Sequence, residues 1–436
     1  MKRRTVLKTV GAGVAATGME GILSTQRAPV FAQANSVHIL RWNDFVPAAD
    51  KVLREVYAPE VQKALGIKLN VETVNANDIP ARATSAIQSG NGPDIFMLLN
   101  NYPHLYASAA VDVGSLADEV SKAQGGLYEP AVQLNRVGGS WVAMPWAVVP
   151  GLIAYRKSWF EEVGAKEFPK TWQAYHEFGK KLKAAKRPIG QTLGNTFGDA
   201  PSFTYPLLWS FGGQELDDKG KVVLDSKETL ESVRFMVQFW KDAHDEGGLA
   251  WDDSNNNRAF LSGDISAALN GASIYVAALN GADKFKTEKG APLHTDILHA
   301  RLPAGPNGAH AYHTAFSHMV MKYSKNTKGA IEFLRWAHTK ENYEKWFVVQ
   351  KGFAVGPTRD WENHPMWNND PVMLPFKTAP LAQSRLMGHG GPPDKRAAEA
   401  WNKFIITVMY AQAASGKFKP EETVKWAAGE LAKIYT

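Results

Sequence analysis

Cysteine is absent from the 436-residue sequence. Its absence excludes disulfide bonds, thiolate metal sites and a lipid-modified N-terminal cysteine, so we expect no lipid anchor. Long hydrophobic runs are also missing, since no segment approaches the roughly 18 uninterrupted apolar residues that a membrane-spanning helix needs. With 44% hydrophobic and 21% charged residues, the composition predicts a soluble globular protein.

Sequence motifs of the common catalytic centres are missing as well. The chain has no Gly-x-Ser-x-Gly elbow, no Walker A loop and no His-Glu-x-x-His pair. His310, His313 and His318 are close in sequence, but the spacing puts His310 and His313 on opposite faces of a strand, whereas a zinc site needs three or four converging ligands. We therefore expect no metal and no cofactor. No pair of carboxylates is marked for glycoside hydrolysis, and we do not expect an enzyme.

The positive charge is concentrated at the N-terminus. The whole chain carries a net charge of +6, but residues 1–34 hold five basic side chains and one acidic one, which leaves about +2 for the remainder. Beyond this segment no cluster of Lys and Arg is large enough to indicate nucleic-acid binding.

The first 34 residues have the pattern of a targeting segment. Two consecutive arginines, an apolar pair and a lysine (RRTVLK, residues 3–8) resemble the twin-arginine export signal. Ala32-Gln33-Ala34 matches an A-x-A cleavage site, so we predict an export signal over 1–34 that is cleaved after Ala34.

The remaining length suffices for two domains with real cores. Its first part alternates between strand and helix patterns: strands at 37–42 and 67–73, helices at 48–65 and 79–89, and a short apolar run at 95–99 that is typical of a strand buried on both faces. Pro59 interrupts the first helical stripe. This order predicts an open α/β lobe. At the other end, residues 396–412 and 420–435 are predicted to form two amphipathic helices.

Several motifs, in order and at the right spacing, resemble one family. They are GNGPDIF at 90–96, IAYRKSWF at 153–160 followed by PKTW at 169–172, FLSGDISAALNG at 260–271 and GFAVGP at 352–357. Together they resemble the family 1 extracellular solute-binding proteins of ABC importers, which are mostly receptors for sugars and polyols. Two positions depart from the family pattern: Arg156 stands where Asn is usual, and Ser273 where an aromatic residue is common.

The resemblance implies an α/β fold of the two-lobed periplasmic-binding-protein type (type II-like), with an open α/β sheet in each lobe and the ligand cleft between the lobes. Lobe 1 is predicted to comprise 35–146 and 310–357. Lobe 2 is predicted to comprise 147–309 and 358–436. Hinge crossovers are expected near 145–150, 303–313 and 354–358.

Candidate ligand contacts follow from the ends of the predicted strands, where open α/β sheets bind their ligands. A neutral polyhydroxy ligand needs apolar faces for its C–H surfaces, and amides or carboxylates for its hydroxyls. The predicted ligand-binding residues are Trp42, Asn43, Asp44, Asn100, Asn101, Trp146, Trp209, Asn270, Tyr275, Tyr312 and His313. Among the acidic residues, only Asp44 and, less directly, Asp199 are candidates to bind a cationic ligand.

The resemblance thus implies a monomeric receptor of the periplasm that captures a small solute, a sugar or polyol, by hinge closure and delivers it to the permease subunits of an ABC importer. Two alternatives stay open. A carboxylate pair facing the cleft would favour a periplasmic carbohydrate-active enzyme. Acids or histidines converging there would favour a receptor for a polyamine or a metal.

Overall fold

The computed structural model describes residues 35–379 and 384–436. The predicted export signal and its cleavage site at Ala34 lie outside these residues. In the described part of the chain, no helix combines the length and the apolar character needed to cross a bilayer.

The first of the two main sheets has five strands: β1 (Ser36–Trp42), β2 (Lys68–Val74), β3 (Ile95–Leu99), β6 (Met144–Pro150) and β10 (His313–Val320). Their order is β2-β1-β3-β10-β6, with β1 parallel to β2 and β3, and β10 antiparallel to both of its neighbours. All five residues of β3 are buried, as its continuous apolar run predicts. The order of strands and helices before β10 confirms the predicted open α/β lobe.

Helices cover this sheet. They are α1 (Pro47–Lys51), a π-helical stretch (Val52–Tyr57), α2 (Ala58–Leu65), α3 (Ile79–Ser89), α4 (Tyr102–Leu105), α5 (Gly114–Ala123) and α6 (Glu129–Asn135), and later α13 (Thr327–Ala337) and α14 (Lys340–Val349). The expected interruption by Pro59 is wrong. The chain stays helical because Pro59 lies in the first turn of α2, where its missing N–H is least costly. Gly66 then ends the helix with a φ of +66°.

The second main sheet is smaller. It contains β7 (Leu152–Arg156), β8 (Ala267–Asn270) and β9 (Ile297–Ala300) in the order β8-β7-β9, with β7 antiparallel to both neighbours. Only Gly151 separates β6 of the first sheet from β7 of the second, and the chain returns to the first sheet between β9 and β10. A separate hairpin pairs β4 (Arg136–Val137) with β5 (Ser140–Trp141).

The helices that follow β7 along the chain are α7 (Lys157–Glu162), α8 (Trp172–Ala184), α9 (Asp199–Phe211), α10 (Lys227–Ala243), α11 (Asn255–Ser262) and α12 (Ser273–Asn280). The C-terminal part contains α15 (Leu374–Thr378), α16 (Lys395–Asn402), α17 (Ile405–Ala414) and α18 (Pro420–Tyr435). Of these, α17 and α18 pack on α10. The prediction of one helix over 396–412 is wrong, since Phe404 takes a left-handed φ of +54° and separates α16 from α17.

Candidate functional site

A small cavity of about 30 Å³ lies between the two sheets, where several strand ends meet. From the first sheet come Trp42 at the end of β1, Val149 near the end of β6 and Thr314 at the start of β10. Asn270, at the end of β8, comes from the second sheet. The full lining of this inner cavity is Trp42, Phe45, Val149, Phe197, Gly198, Asp199, Asp253, Asn270, Gly271, Ser273, Thr314 and Phe353.

Four aromatic rings form much of the inner cavity. The ring centroid of Trp42 lies 5.5 Å from that of Phe45, 6.1 Å from that of Phe197 and 6.4 Å from that of Phe353. Phe197 precedes α9, so its contact with Trp42 joins the two sides of the cleft. The planes of Trp42 and Phe197 are inclined by 52°. Such an arrangement presents apolar faces to the C–H surfaces of a small guest.

Two adjacent aspartates complete the floor of the inner cavity. Asp253 is buried and accepts hydrogen bonds from the Thr196 hydroxyl (2.5 Å) and from the backbone N–H groups of Gly198 (3.1 Å) and Asp199 (2.8 Å). Asp199, the first residue of α9, accepts a hydrogen bond from the Asn256 amide at 2.6 Å and stays partly exposed. Asp253 therefore shapes the loop that presents Asp199 to the cavity.

Both carboxyl groups are hard to ionise. Burial raises the pKa of Asp253 to about 6. Burial, and then the charge of Asp253, raise the pKa of Asp199 well above its usual range, although the amides of Asn256 and Asn270 act in the opposite direction. The cause is the loss of hydration together with the proximity of a like charge.

An outer cavity of about 250 Å³ continues from the inner one and shares Phe45, Phe197 and Asp253 with it. Its wall is more polar, with amides, hydroxyls and two further carboxylates. The added lining residues are Asn43, Asp44, Asn75, Ala76, Asn77, Thr196, Asp252 and Ser254. A guest that extends from the inner to the outer cavity thus passes from aromatic faces to hydrogen-bonding groups.

Asp44 is held in place by neighbours on the first-sheet side. It accepts hydrogen bonds from the Val46 N–H (2.9 Å) and the Gln350 amide (3.1 Å), and the guanidinium of the fully buried Arg41 lies 4.0 Å away. Burial raises the pKa of Asp44 to about 6, and the charge of Arg41 opposes that rise.

Of the eleven predicted ligand residues, four line the two cavities: Trp42 and Asn270 the inner one, Asn43 and Asp44 the outer one. The Asn270 amide donates to Asn257 Oδ1 (2.7 Å), and its oxygen accepts from the Ser273 hydroxyl and the Ile274 N–H. Asn270 thus ties β8 to the start of α12.

Asn100, Asn101 and Trp146 line neither cavity. The Asn100 side chain accepts the Ala315 N–H at 3.0 Å and closes the end of the sheet. Asn101 is buried, with its amide 3.5 Å from the Pro393 carbonyl. Trp146 packs among His318, His338, Tyr343 and Trp346 in the core of the first lobe.

The four remaining predicted residues also lie elsewhere. Trp209 is buried on α9 against Tyr205, which stacks on Tyr312 in turn. Tyr275 donates its hydroxyl to Asp370 at 2.5 Å. His313 accepts from the Gly151 N–H and contacts the Ala379 carbonyl at 2.9 Å, so it serves the connection between β6 and β7.

The sequence reasoning missed Phe45, Phe197, Asp253 and Phe353 as cavity residues. Phe45 and Phe353 lie in stretches that had been singled out, directly after Trp42-Asn43-Asp44 and within the GFAVGP turn. Phe197 and Asp253 lie in loops 56 positions apart, without a periodic pattern or a motif to mark them. Within residues 35–379 and 384–436, no three His, Asp, Glu or Cys side chains are grouped so as to hold a metal ion.

Comparison with known proteins shows which family the chain resembles. The model of the family described as bacterial extracellular solute-binding protein matches residues 41–344. A probable ABC transporter-binding protein of Deinococcus radiodurans is 25% identical over 351 residues, which cover 78% of this chain and 80% of the relative.

Solved structures share the fold. The maltose-bound MalE3 of T. maritima superposes with a TM-score of 0.77 at 21% identity, over 92% of this chain and 99% of the other. A solute-binding protein of Agrobacterium radiobacter K84 in complex with ribitol gives a TM-score of 0.71 at 18% identity, over 92% and 98%. These likenesses confirm the two-lobed α/β fold with a cleft between the lobes.

Proposed function

Because the chain belongs to the bacterial extracellular solute-binding protein family, we propose that the inner and outer cavities are the solute site of this ABC transporter receptor. The observation that carries the proposal is the position of the inner cavity: Trp42 and Phe45 reach it from the first lobe, and Phe197, Asp199 and Asn270 from the second. A solute bound there contacts both lobes at once. It therefore favours the closed state over the open one, which is how a ligand drives hinge closure.

The solute is a small sugar or polyol. Aromatic faces suit the C–H surfaces of such a molecule, and the amides of the outer cavity suit its hydroxyls. Maltose and ribitol are the ligands of the two structural neighbours. With a volume of about 30 Å³, the inner cavity is much smaller than ligand sites, which span roughly 300–1,000 Å³, so a solute enters it only when the lobes move apart.

The predicted boundary between 146 and 147 would cut β6, which stays paired in the first sheet to Pro150. Lobe 1 therefore comprises 35–150 and 310–357, and lobe 2 comprises 152–309 and 358–436. Gly151, between β6 and β7, supports a hinge there, because a single residue separates strands of the two sheets. The C-terminal part also reaches lobe 1, since the Tyr102 hydroxyl donates to Asn402 at 2.9 Å. That contact is a second place at which the lobes are held together.

The protein acts in the periplasm as a monomer, after export and cleavage, and passes its solute to permease subunits. It performs no chemical step. A carboxylate pair does face the cavity, which is the feature a carbohydrate-active enzyme would need. Asp253, however, already accepts three hydrogen bonds, which fix its position and occupy its oxygens. Such a carboxylate is poorly suited to act as a general acid or nucleophile.

A thermal-shift screen of the exported protein against sugars and polyols tests the proposal, with turnover followed by product analysis. A ligand at a hundred times its dissociation constant adds about 2.7 kcal/mol to the free energy of unfolding. Stabilisation without product supports the receptor. Release of a hydrolysed product would support the enzyme, and no response to any carbohydrate would contradict the assigned solute class.

A further inference from the structure

The charges around the two cavities are of one sign. Asp199 and Asp253 line the inner cavity, and Asp44 and Asp252 join Asp253 in the outer one. Among the described residues that line the two cavities, none is Lys, Arg or His. A low-dielectric cleft with such a lining concentrates a negative potential where the solute binds.

Two of these four aspartates have basic neighbours. Arg41 lies 4.0 Å from Asp44, and the pKa of Asp252 is lowered by hydrogen bonds from Ser254 and Asn255 and, to a lesser extent, by the charge of Arg258. Asp199 and Asp253 differ, because no Lys, Arg or His among the described residues forms a salt bridge with either of them. Two like charges in a buried site are costly, since neither is offset by a counter-charge. This adjacent pair therefore has no basic partner within the described part of the chain, and a bound cation would favour its ionised form.

The aromatic rings around the pair favour the same kind of guest. The faces of Trp, Phe and Tyr carry a negative quadrupole and attract a cation within about 6 Å of the ring centroid. Trp42, Phe45, Phe197 and Phe353 line the cavity that the pair also lines. A positive group inside the cavity is thus attracted both by a carboxylate and by the ring faces. A neutral group gains neither of these two electrostatic attractions.

A second observation describes the rest of the guest. The ring of Trp42 lines the inner cavity, and its indole nitrogen is enclosed by the protein, so the residue offers an apolar face to a guest. The outer cavity adds the amides of Asn43, Asn75 and Asn77. These amides can donate hydrogen bonds to hydroxyl oxygens of a bound molecule.

We infer that the solute is an amino sugar or an amino polyol, whose protonated amine lies against Asp199 while its C–H faces meet the ring of Trp42 and its hydroxyls meet the amides of the outer cavity. The inference rests on the proposed function and narrows its solute class. Asp199 is the contact because it is partly exposed to the inner cavity, whereas Asp253 is occupied by three donors.

The test is calorimetric titration of the exported protein with matched pairs at about pH 7.5: glucosamine and glucose, galactosamine and galactose, 1-amino-1-deoxysorbitol and sorbitol. N-acetylglucosamine removes the charge of the amine, and choline carries a charge on a smaller frame. We expect at least one amine to bind tenfold or more tightly than its hydroxyl parent. Asp199→Asn should abolish that difference, and Asp118→Asn, on the exposed face of α5, should retain it.

The outcomes separate the two proposals. If a neutral parent binds as tightly as its amine, the amine inference is overturned and the sugar receptor stands. If choline alone binds, the hydroxylated frame and the carbohydrate class are both overturned. Absence of binding by every compound overturns both proposals. Since the matched pairs are compared on the unaltered protein, the test holds even if Asp199→Asn fails to fold.

Discussion

The two sides of the cleft handle buried charge in opposite ways. On the first-lobe side, Arg41 and Asp44 are both buried and 4.0 Å apart, so opposite charges offset each other. On the second-lobe side, Asp199 and Asp253 are adjacent carboxylates without a basic partner among the described residues. The first arrangement has its counter-charge within the chain, although the three guanidinium nitrogens of Arg41 have no hydrogen-bond partner among the described residues. The second is completed by a bound cation or by a proton, which is what distinguishes a binding site from a structural ion pair.

The largest effect is expected from breaking the Arg41–Asp44 pair. Arg41→Met leaves the buried Asp44 carboxylate without its counter-charge, but it also removes a buried guanidinium that has no hydrogen-bond partner among the described residues, so the net cost is on the order of 2–3 kcal/mol. Part of this cost is relieved at low pH, because Asp44 can then be protonated. We expect a lower urea midpoint at neutral pH. The exposed Arg54→Met is the control, and an equally small loss in both variants would contradict the pairing.

The aromatic wall should affect affinity more than stability. Phe197→Ala removes the ring that reaches Trp42 from the second lobe, and the loss of one aromatic face from a desolvated site is worth about 2 kcal/mol, or roughly a 30-fold weaker dissociation constant. Isothermal titration with the ligand found in the screen measures it. Phe418→Ala removes a ring that is 48% exposed and should change nothing. Equal affinities in the Phe197 variant and the unaltered protein would remove Phe197 from the site.

The smallest effect is expected from the Asp199–Asp253 pair. It is a change in the free energy of unfolding, and its size depends on pH. The pKa of Asp199 is raised above its unfolded value, so the stability of the ligand-free protein is greatest where this carboxyl is protonated and falls as pH rises through the folded pKa. Asp199→Asn cannot ionise. The variant should therefore match the unaltered protein near pH 4 and become progressively more stable than it as the pH rises above the ordinary range of an aspartate pKa.

Asp252 with Arg258 on the neighbouring loop and helix, and Asp44 with Arg41 across the cleft, titrate in both proteins and cancel in this comparison. Asp253, in contact with Asp199, does not cancel, because it loses a like-charged neighbour in the variant and contributes to the same pH-dependent difference. Thermal unfolding across the pH range provides the measurement. A variant that is less stable than the unaltered protein at every pH would show that Asp199 is a structural residue.

Much of the fold could be predicted from local pattern. The continuous apolar run of β3, the helix from Ile79 to Ser89 and the cap at Thr171 each depend on neighbouring residues alone. The break at Phe404 could not, because a left-handed residue other than glycine or asparagine leaves no signal in composition. Such a conformation is imposed by the packing of α16 and α17.

The site was predictable where a strand ends at the cleft and not elsewhere. Trp42 and Asn270 end β1 and β8, and both line the inner cavity. Asn100 also follows a strand, but β10 pairs beside it, and the Ala315 N–H donates to the Asn100 side chain. This contact depends on the register between two strands that are 215 positions apart in sequence, which local pattern does not reveal. Asp253 acquires its position through hydrogen bonds to residues 196–199, a loop whose path no local pattern specifies.

The most direct test of the account is a crystal structure of the exported protein grown with the tightest-binding amine of the titration series. We expect the ligand to lie between Trp42 and Phe197, in contact with both lobes, with its nitrogen about 2.7–2.9 Å from an Asp199 carboxylate oxygen. A ligand bound outside the inner cavity, or one whose amine points away from Asp199 into solvent, would contradict it.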